Sequence, residues 1–242
     1  MTALLSVAGL SKSFGAIVVA DATSFEVSKG EAVGILGPNG AGKTSLFNLI
    51  TGALPADAGR IAFDGVDISN HSAAARCKMG VARSFQIPQP FGGMTVFENA
   101  LVGATQGAGL TGKAAESHAL SVLEETGLLT RANARAGSLT LLERKRLELT
   151  RALAAMPKVL LLDEIAGGLT DAECQSLIAT VRNIHARGTT IVWIEHVVHA
   201  LLAVVERLIV IDFGKKIAEG EPKAIMDSPE VKEIYLGVDP DV

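Results

Sequence analysis

The sequence predicts an α/β domain built on a largely parallel sheet, with a small antiparallel sheet at its N-terminal end and a helical subdomain inserted between strands. Three observations lead there. AVGIL (residues 32–36), VLLLDE (159–164) and TTIVWIEH (189–196) are continuous apolar runs, as strands buried on both faces are, and each is left toward a helical segment. The first thirty residues alternate loosely between turn signals. Residues 87–155 carry helical periodicity and no convincing strand.

Taken in order, Leu4 and Val7, then Ile17 to Val19, then Phe25 and Val27 fall between Gly9, Gly15 and the Lys29-Gly30 pair, which predicts short antiparallel strands forming an edge or cap sheet. AVGIL is followed at once by a glycine-rich turn and by SLFNLITG, where Leu46, Leu49 and Ile50 keep helical spacing: strand, loop, helix. After Pro88, Pro90 and a glycine-rich turn come TVFENALVGA, KAAESHALSVLEETGLL and LLERKRLELTRALAAM, three helical patterns. Strand and hairpin signals return in RLIVIDFGKKIAEG, and short helices follow Pro222 and Pro229. No internal repeat or low-complexity tract interrupts this order.

Composition narrows the function classes. At 242 residues, 48% hydrophobic and 20% charged, the chain can build a large core, which excludes disordered and fibrous readings. The mean hydropathy of +0.35 is high, yet no charge-free stretch approaches the roughly twenty residues of a spanning helix. The N-terminus lacks a basic region and a cleavage-site pattern, so a cytosolic chain is expected. Cys77 and Cys174 lie far apart without CxxC or Cys/His spacing, which predicts two reduced thiols and no zinc site. A net charge of −4 gives no global attraction toward nucleic acid or anionic lipid.

The chemistry enters at GPNGAGKT, Gly37 to Thr44, which fits G-x-x-x-x-G-K-[ST] completely. In such a loop the backbone amides of Gly37, Asn39, Gly40, Ala41 and Gly42 face the phosphates. Lys43 neutralises charge, the Thr44 hydroxyl reaches magnesium, and Ser45, next at the helix start, completes the expected nucleotide-binding set. Its place between an apolar strand and an amphipathic helix is what phosphate binding at a helix N-terminus requires. VLLLDE supplies the second requirement: Asp163 at the end of a buried strand can hold the magnesium shell, and Glu164 can face the γ-phosphate. ATP and Mg2+ are the expected cofactors.

In their order and spacing, GPNGAGKT, Gln86, VLLLDE and His196 resemble the ATPase subunits of ABC transporters, over essentially the whole chain. RSFQ ending at Gln86, FGGMTVFENALVGA and WIEHVVHALLAVVERLIVIDFGKKIAEG are most similar to the ATP-binding subunits of importers for branched-chain amino acids and related compounds. The resemblance implies a P-loop NTPase core. It implies a single ABC ATPase domain over residues 1–242, with 1–86 and 156–242 expected as the RecA-like core with its antiparallel β subdomain and 87–155 as the helical subdomain carrying the signature segment. It also implies that Phe14 stacks on adenine, that Gln86 coordinates magnesium and senses a transmembrane partner, and that His196 contacts the γ-phosphate and orients water with Glu164. Lys43, Glu164 and His196 would be the catalytic set. Thr44, Gln86 and Asp163 would be the magnesium set.

Two segments depart from the pattern. The signature donated to a partner's site corresponds to Leu139, Thr140, Leu141, Leu142 and Glu143, where leucines replace glycine or a small turn and a carboxylate replaces glutamine. Arg144, Lys145 and Arg146 are available to offset that carboxylate or to form a solvated face. In IAGGLTD, Ile165 and Thr170 replace a usual proline and a usual Asp or Asn. Both departures serve the other site, which suggests an asymmetric heterodimer; a tolerated signature variant is the alternative. The expected partners are a second ABC ATPase subunit, two transmembrane permease subunits and, indirectly, a solute-binding protein, at the cytoplasmic face of the inner or plasma membrane, with no nucleic acid. The rival readings are a lipopolysaccharide-export type ATPase, against which RSFQ and MTVFENALVGA argue, and a soluble non-transport ABC ATPase, for which the chain has no room for coiled-coil or tandem-cassette insertions. A regulatory nucleotide binder is disfavoured by Glu164 and His196 together.

Overall fold

The computed structural model describes residues 3–236, so residues 1–2 and 237–242 of the expected 1–242 domain lie outside the described residues. β1 (Ala3–Phe14) and β2 (Ile17–Ser28) form one hairpin, β3 (Ala32–Leu36) leads into the phosphate loop and α1 (Lys43–Thr51) leaves it. β4 (Ala58–Phe63), β5 (Val66–Asp67), α2 (Ala73–Met79) and β6 (Val81–Arg83) come next, in a stretch whose elements the hydrophobic pattern does not announce. Then come α3 (Val96–Val102), a π-helical turn (Gly103–Gly107), α4 (Gly112–Glu125) and α5 (Leu141–Ala154). β7 (Val159–Asp163), α6 (Asp171–Ala186), β8 (Thr190–Ile194), α7 (Val198–Leu202), β9 (Arg207–Asp212), β10 (Lys215–Gly220), α8 (Pro222–Asp227) and α9 (Pro229–Leu236) complete the order.

The strands form two sheets. A six-stranded sheet runs β10-β9-β3-β8-β7-β6, parallel except for β10 at one edge; an antiparallel four-stranded sheet runs β2-β1-β4-β5. The N-terminal strands are not short: β1 and β2 hold twelve residues each. Gly9, read as a turn, instead sits inside β1 at φ +58, where the pairing register slips between Val7 and Leu10. Such a bulge lets one strand bend and continue where a turn would have ended it. Gly15 does make the turn.

Alternation within the buried strands explains the continuous apolar runs. Val33, Ile35, Leu161 and Val192 face α1 and the antiparallel sheet. Leu36, Leu160, Leu162 and Trp193 face α5, α6 and α7. A strand covered on both sides has no solvent face on which to place polar residues. Among the helices, Val96, Leu123, Leu139 and Leu147 form a separate cluster, while Leu149 and Leu153 on the other side of α5 join the sheet's core. No helix among the described residues is long and apolar enough to cross a membrane. Cys77 and Cys174 are not joined to each other.

The parallel order puts the carboxyl ends of β3, β7 and β8 side by side, with β3 bonded to β8 and β8 to β7. The phosphate loop, the Asp163-Glu164 pair and His196 thereby meet at one edge, where open α/β sheets bind ligands.

Candidate active site

The phosphate loop is shaped by two glycines that cannot be replaced. Gly42 holds φ +100, and a Cβ there would collide with the Val19 carbonyl oxygen; a Cβ on Gly37 would collide with the carbonyl oxygen of Ile211. The loop is therefore seated directly on the backbone of β2 and β9. Its neighbour Ala41 accepts at its carbonyl from the Gly214 amide at 2.9 Å. α1 starts behind Gly42 with no side-chain cap, so the amides of its first turn are left to a ligand. Its far end is closed by Arg76, buried, which donates to Leu49 O at 2.7 Å and Ile50 O at 2.8 Å.

Lys43 is folded back over this loop, donating from Nζ to the carbonyls of Gly37 at 2.6 Å and Pro38 at 2.9 Å. Burial lowers its pKa, opposed by the nearby charges of Glu164 and Asp163. A cavity of about 460 Å³ spans Asn39 to Ser45 and is also lined by Ile17, Val19, Gln86 and Glu164. Phe14 is not in that lining. It is half-exposed at the end of β1 with the Lys12 ammonium 5.4 Å from its ring centroid.

Glu164 is the point where the other elements converge. Its Oε2 accepts from Gln86 Nε2, and its Oε1 lies 2.8 Å from His196 Nε2. The carboxylate is thus gripped from the loop after β6 and the loop after β8. Its own backbone is left-handed, at φ +47, which for a side chain with a Cβ persists only where surroundings enforce it. Asp163 is buried; its Oδ2 accepts from Arg83 at 2.5 Å, while Oδ1 has no hydrogen-bond partner among the described residues. An unsatisfied buried carboxylate oxygen is costly unless a ligand claims it, which fits a role in a magnesium shell. No group of three or more His, Cys, Asp or Glu able to hold a metal occurs among the described residues.

Several residues tied to this site escaped the sequence reading. Arg83 joins Asp163 to Asn48 of α1, with 2.6 Å to the Asn48 oxygen. Glu195, one residue before His196, is buried and accepts amides from Ala166 at 2.6 Å, His196 at 3.0 Å and Val197 at 3.3 Å. Burial raises its pKa against those amides and the charge of Lys145. Lys145, expected on a solvated face or against Glu143, is buried instead and donates to the Glu164 carbonyl at 2.9 Å. Only the location of Lys145 on the inward face of α5 could have marked it in the sequence.

The departing segments prove to be helix starts. Thr140 N-caps α5 in a capping box with Glu143, whose side chain takes the Thr140 amide at 2.9 Å, and Arg131 pairs with Glu143 at 3.0 Å. Thr170 and Glu173 do the same at the start of α6, and Thr95 and Glu98 at the start of α3. Leu141 is exposed and lies beside Gly168, so 139–143 and the loop after Glu164 share one surface. Leu142 packs against the sheet's core and Ile165 is buried in it.

The chain is similar to known proteins over most of its length. The ABC transporter family matches residues 20–167, and the family "branched-chain amino acid ATP-binding cassette transporter" matches 215–241. The high-affinity branched-chain amino acid transport ATP-binding protein LivG of Salmonella typhimurium is 37% identical over 97% of this chain and 98% of its own length. A probable branched-chain amino acid transport ATP-binding protein LivG of Methanocaldococcus jannaschii is 35% identical over 97% of each chain. Among solved structures, a nucleotide-free ATP-binding cassette from an ABC transporter superposes with a TM-score of 0.88 at 33% identity, covering 98% of this chain and 100% of that one. An ADP-bound cassette gives 0.88 at 34% identity with the same coverage.

Proposed function

From the premise that the chain belongs to the ABC transporter ATPase family, we propose that it energises import of branched-chain amino acids or related small compounds, as the ATP-hydrolysing partner of two permease subunits at the cytoplasmic face of the membrane. The convergence of Gln86 and His196 on the two oxygens of Glu164, beside an uncapped phosphate-binding helix, carries the hydrolytic part of this reading, and similarity to branched-chain amino acid transport ATP-binding proteins carries the rest.

Phosphoryl transfer needs positioning and charge neutralisation more than covalent help. The loop amides and Lys43 hold the phosphates; Lys43 exchanges the Gly37 and Pro38 carbonyls for phosphate oxygens as ATP enters. Glu164 takes the proton of the attacking water as the new bond to the γ-phosphorus forms and the bond to the bridging oxygen breaks, releasing ADP. His196 orients that water and the γ-phosphate, and Gln86 brings word of the groove behind it. Thr44, Gln86 and Asp163 would hold magnesium, which when bound neutralises phosphate charge. Phe14 would stack on adenine from the hairpin end, with Ile17 beside it in the cavity wall.

The groove is a second cavity of about 500 Å³ between the sheet domain and the helices, lined by Phe85, Val102, Gly103, Glu148 and Arg151 among others. Its wall begins one residue before Gln86, which supports seating a permease segment there. The boundaries 1–86 with 156–242 and 87–155 divide the chain at this groove. The heterodimer rests on Glu143: a carboxylate held at the start of α5 opposes the approach of a γ-phosphate there, so the site completed by Leu139, Thr140, Leu141, Leu142 and Glu143 is the weaker one. A second ATPase subunit would then supply the stronger signature, and a solute-binding protein the substrate.

The experiment is purification of the tagged native complex, identification of its subunits by mass spectrometry, and ATPase and leucine uptake in proteoliposomes with and without Glu164→Gln. Two permeases and a second ATPase should co-purify, and the substitution should lower hydrolysis by about 100-fold or more, the range of a lost general base. Full hydrolysis with Gln at 164, or a chain that purifies alone, overturns the reading.

A further inference from the structure

The left-handed backbone at Glu164 is held from both sides by charged groups that no part of the phosphate chemistry calls for. On one side Lys145, 5% exposed, donates to the Glu164 carbonyl at 2.9 Å, with the Gln86 carbonyl at 3.5 Å. On the other, Glu195, 1% exposed, spends one oxygen on the Ala166 amide and the other on the amides of His196 and Val197. The loop of the catalytic base and the loop of His196 are therefore tied through a single carboxylate, while the carbonyl of the base is tied to α5. The Glu164 amide adds a bond to Ile194 O at 2.8 Å.

We propose that Lys145 and Glu195 are paired positioning residues that fix Glu164 against His196, so that the catalytic base is aligned by the same helix whose first turn, at Thr140 to Glu143, is presented to the partner's site. This rests on Glu164 being the base. Lys145 and Glu195 act on the same turn through backbone groups and not through an ion pair with each other, Lys145 on the Glu164 carbonyl and Glu195 on the Ala166 amide two residues on; their opposite charges ease each other's burial. A lysine reaching from α5 to a carbonyl also gives that helix a lever on the base, which an apolar contact lacks. Misplacement of a reacting group by about 1 Å costs on the order of 100-fold, so loosening the brace acts on turnover. Nucleotide affinity, set by the phosphate loop, is left alone.

The test compares Lys145→Met, Lys145→Arg, Glu195→Gln, the Lys145→Met/Glu195→Gln double variant and Glu164→Gln in the assembled complex, reading kcat and KM for ATP. Folding of each is followed by the fluorescence of Trp193, the chain's one tryptophan, buried on β8. Lys145→Met and Glu195→Gln should each lower kcat at least fivefold with KM within twofold. Lys145→Arg should keep at least half of kcat, and the double variant should lose no more than twice what the worse single loses. A kcat loss under fivefold in either folded single, a KM that rises with it, or multiplied losses in the double overturns the proposal. If Lys145→Met does not fold, Lys145→Gln is held to the same thresholds. Full hydrolysis by Glu164→Gln instead removes the reading of Glu164 as base, an outcome separate from the others.

Discussion

Two helices of this chain begin in opposite ways. α1 starts behind a left-handed glycine with no side-chain cap, leaving its first amides open. α5 starts behind Thr140, with Glu143 folded back to take the Thr140 amide and the hydroxyl taking the Glu143 amide. The first end is kept empty for an anion; the second already carries one of its own. The difference teaches that an uncapped helix N-terminus offers an anion both its dipole and its free amides, whereas a capped one offers its dipole with an amide already engaged.

The strongest way to break the contrast is to fill the empty end. Gly42→Ala places a Cβ against the Val19 carbonyl and forces a left-handed alanine, so the loop must move off β2. ATP affinity, measured by equilibrium dialysis of the complex, should fall by about 100-fold or more. A loss under tenfold would show that the loop's seat on the β2 backbone does not set its shape.

Sharpening it from the other end calls for Glu143→Gln. The amide oxygen can still accept from Thr140, so the cap survives, but the negative charge at the start of α5 is gone. ATPase of the assembled complex should rise severalfold if that charge weakens the site this helix completes. An unchanged or lower rate would return the asymmetry to the leucines. Leu142→Gly is the poorer test, because Leu142 packs into the sheet's core and its loss leaves a gap.

The same contrast explains what could be read without a structure. The phosphate loop, β3, β7 and β8 were legible because function and burial both dictate residue type: glycine where backbone meets backbone, apolar residues on both strand faces. Thr140 and Thr170 looked like defects when measured against a family pattern, although T-x-x-E opens three helices, at Thr95-Glu98, Thr140-Glu143 and Thr170-Glu173; its fourth occurrence, Thr23-Glu26, lies inside β2 and caps nothing. Residues 52–86 were opaque for another reason. β5 has two residues and β6 three, too short for periodicity to register. Glu195 was hidden because a buried charge looks like any other in sequence; Lys145 keeps helical spacing with Leu142 and Leu149, which sets it on the inward face of α5, but only the fold puts the Glu164 carbonyl within its reach. Twelve-residue strands likewise needed the bulge at Gly9, which in sequence looks the same as a turn.

The smallest expected effect separates the two glutamates of α5. Glu143 is at the helix start, where a negative charge is welcome, whereas Glu148 lies two turns' reach inside, 3% exposed, accepting from Gln89 N at 3.0 Å and from Arg151 at 2.9 Å. Burial raises the Glu148 pKa above the ordinary 4.5, and Arg151 and the Gln89 amide only partly oppose it. The folded chain therefore binds a proton more tightly here than the unfolded chain does. Its contribution to stability is full below pH 4.5 and is lost as pH rises through the folded value. Glu148→Gln cannot ionise and loses nothing over that range. The melting temperature of the variant, followed by Trp193 fluorescence, should thus gain on the wild type as pH is raised from below 4.5 toward neutrality, and the gap should be constant below that window. A gap that is flat across the whole range, or that closes as pH rises, would mean that Arg151 fully compensates the buried charge, and that the groove wall holds a settled ion pair in place of a strained one.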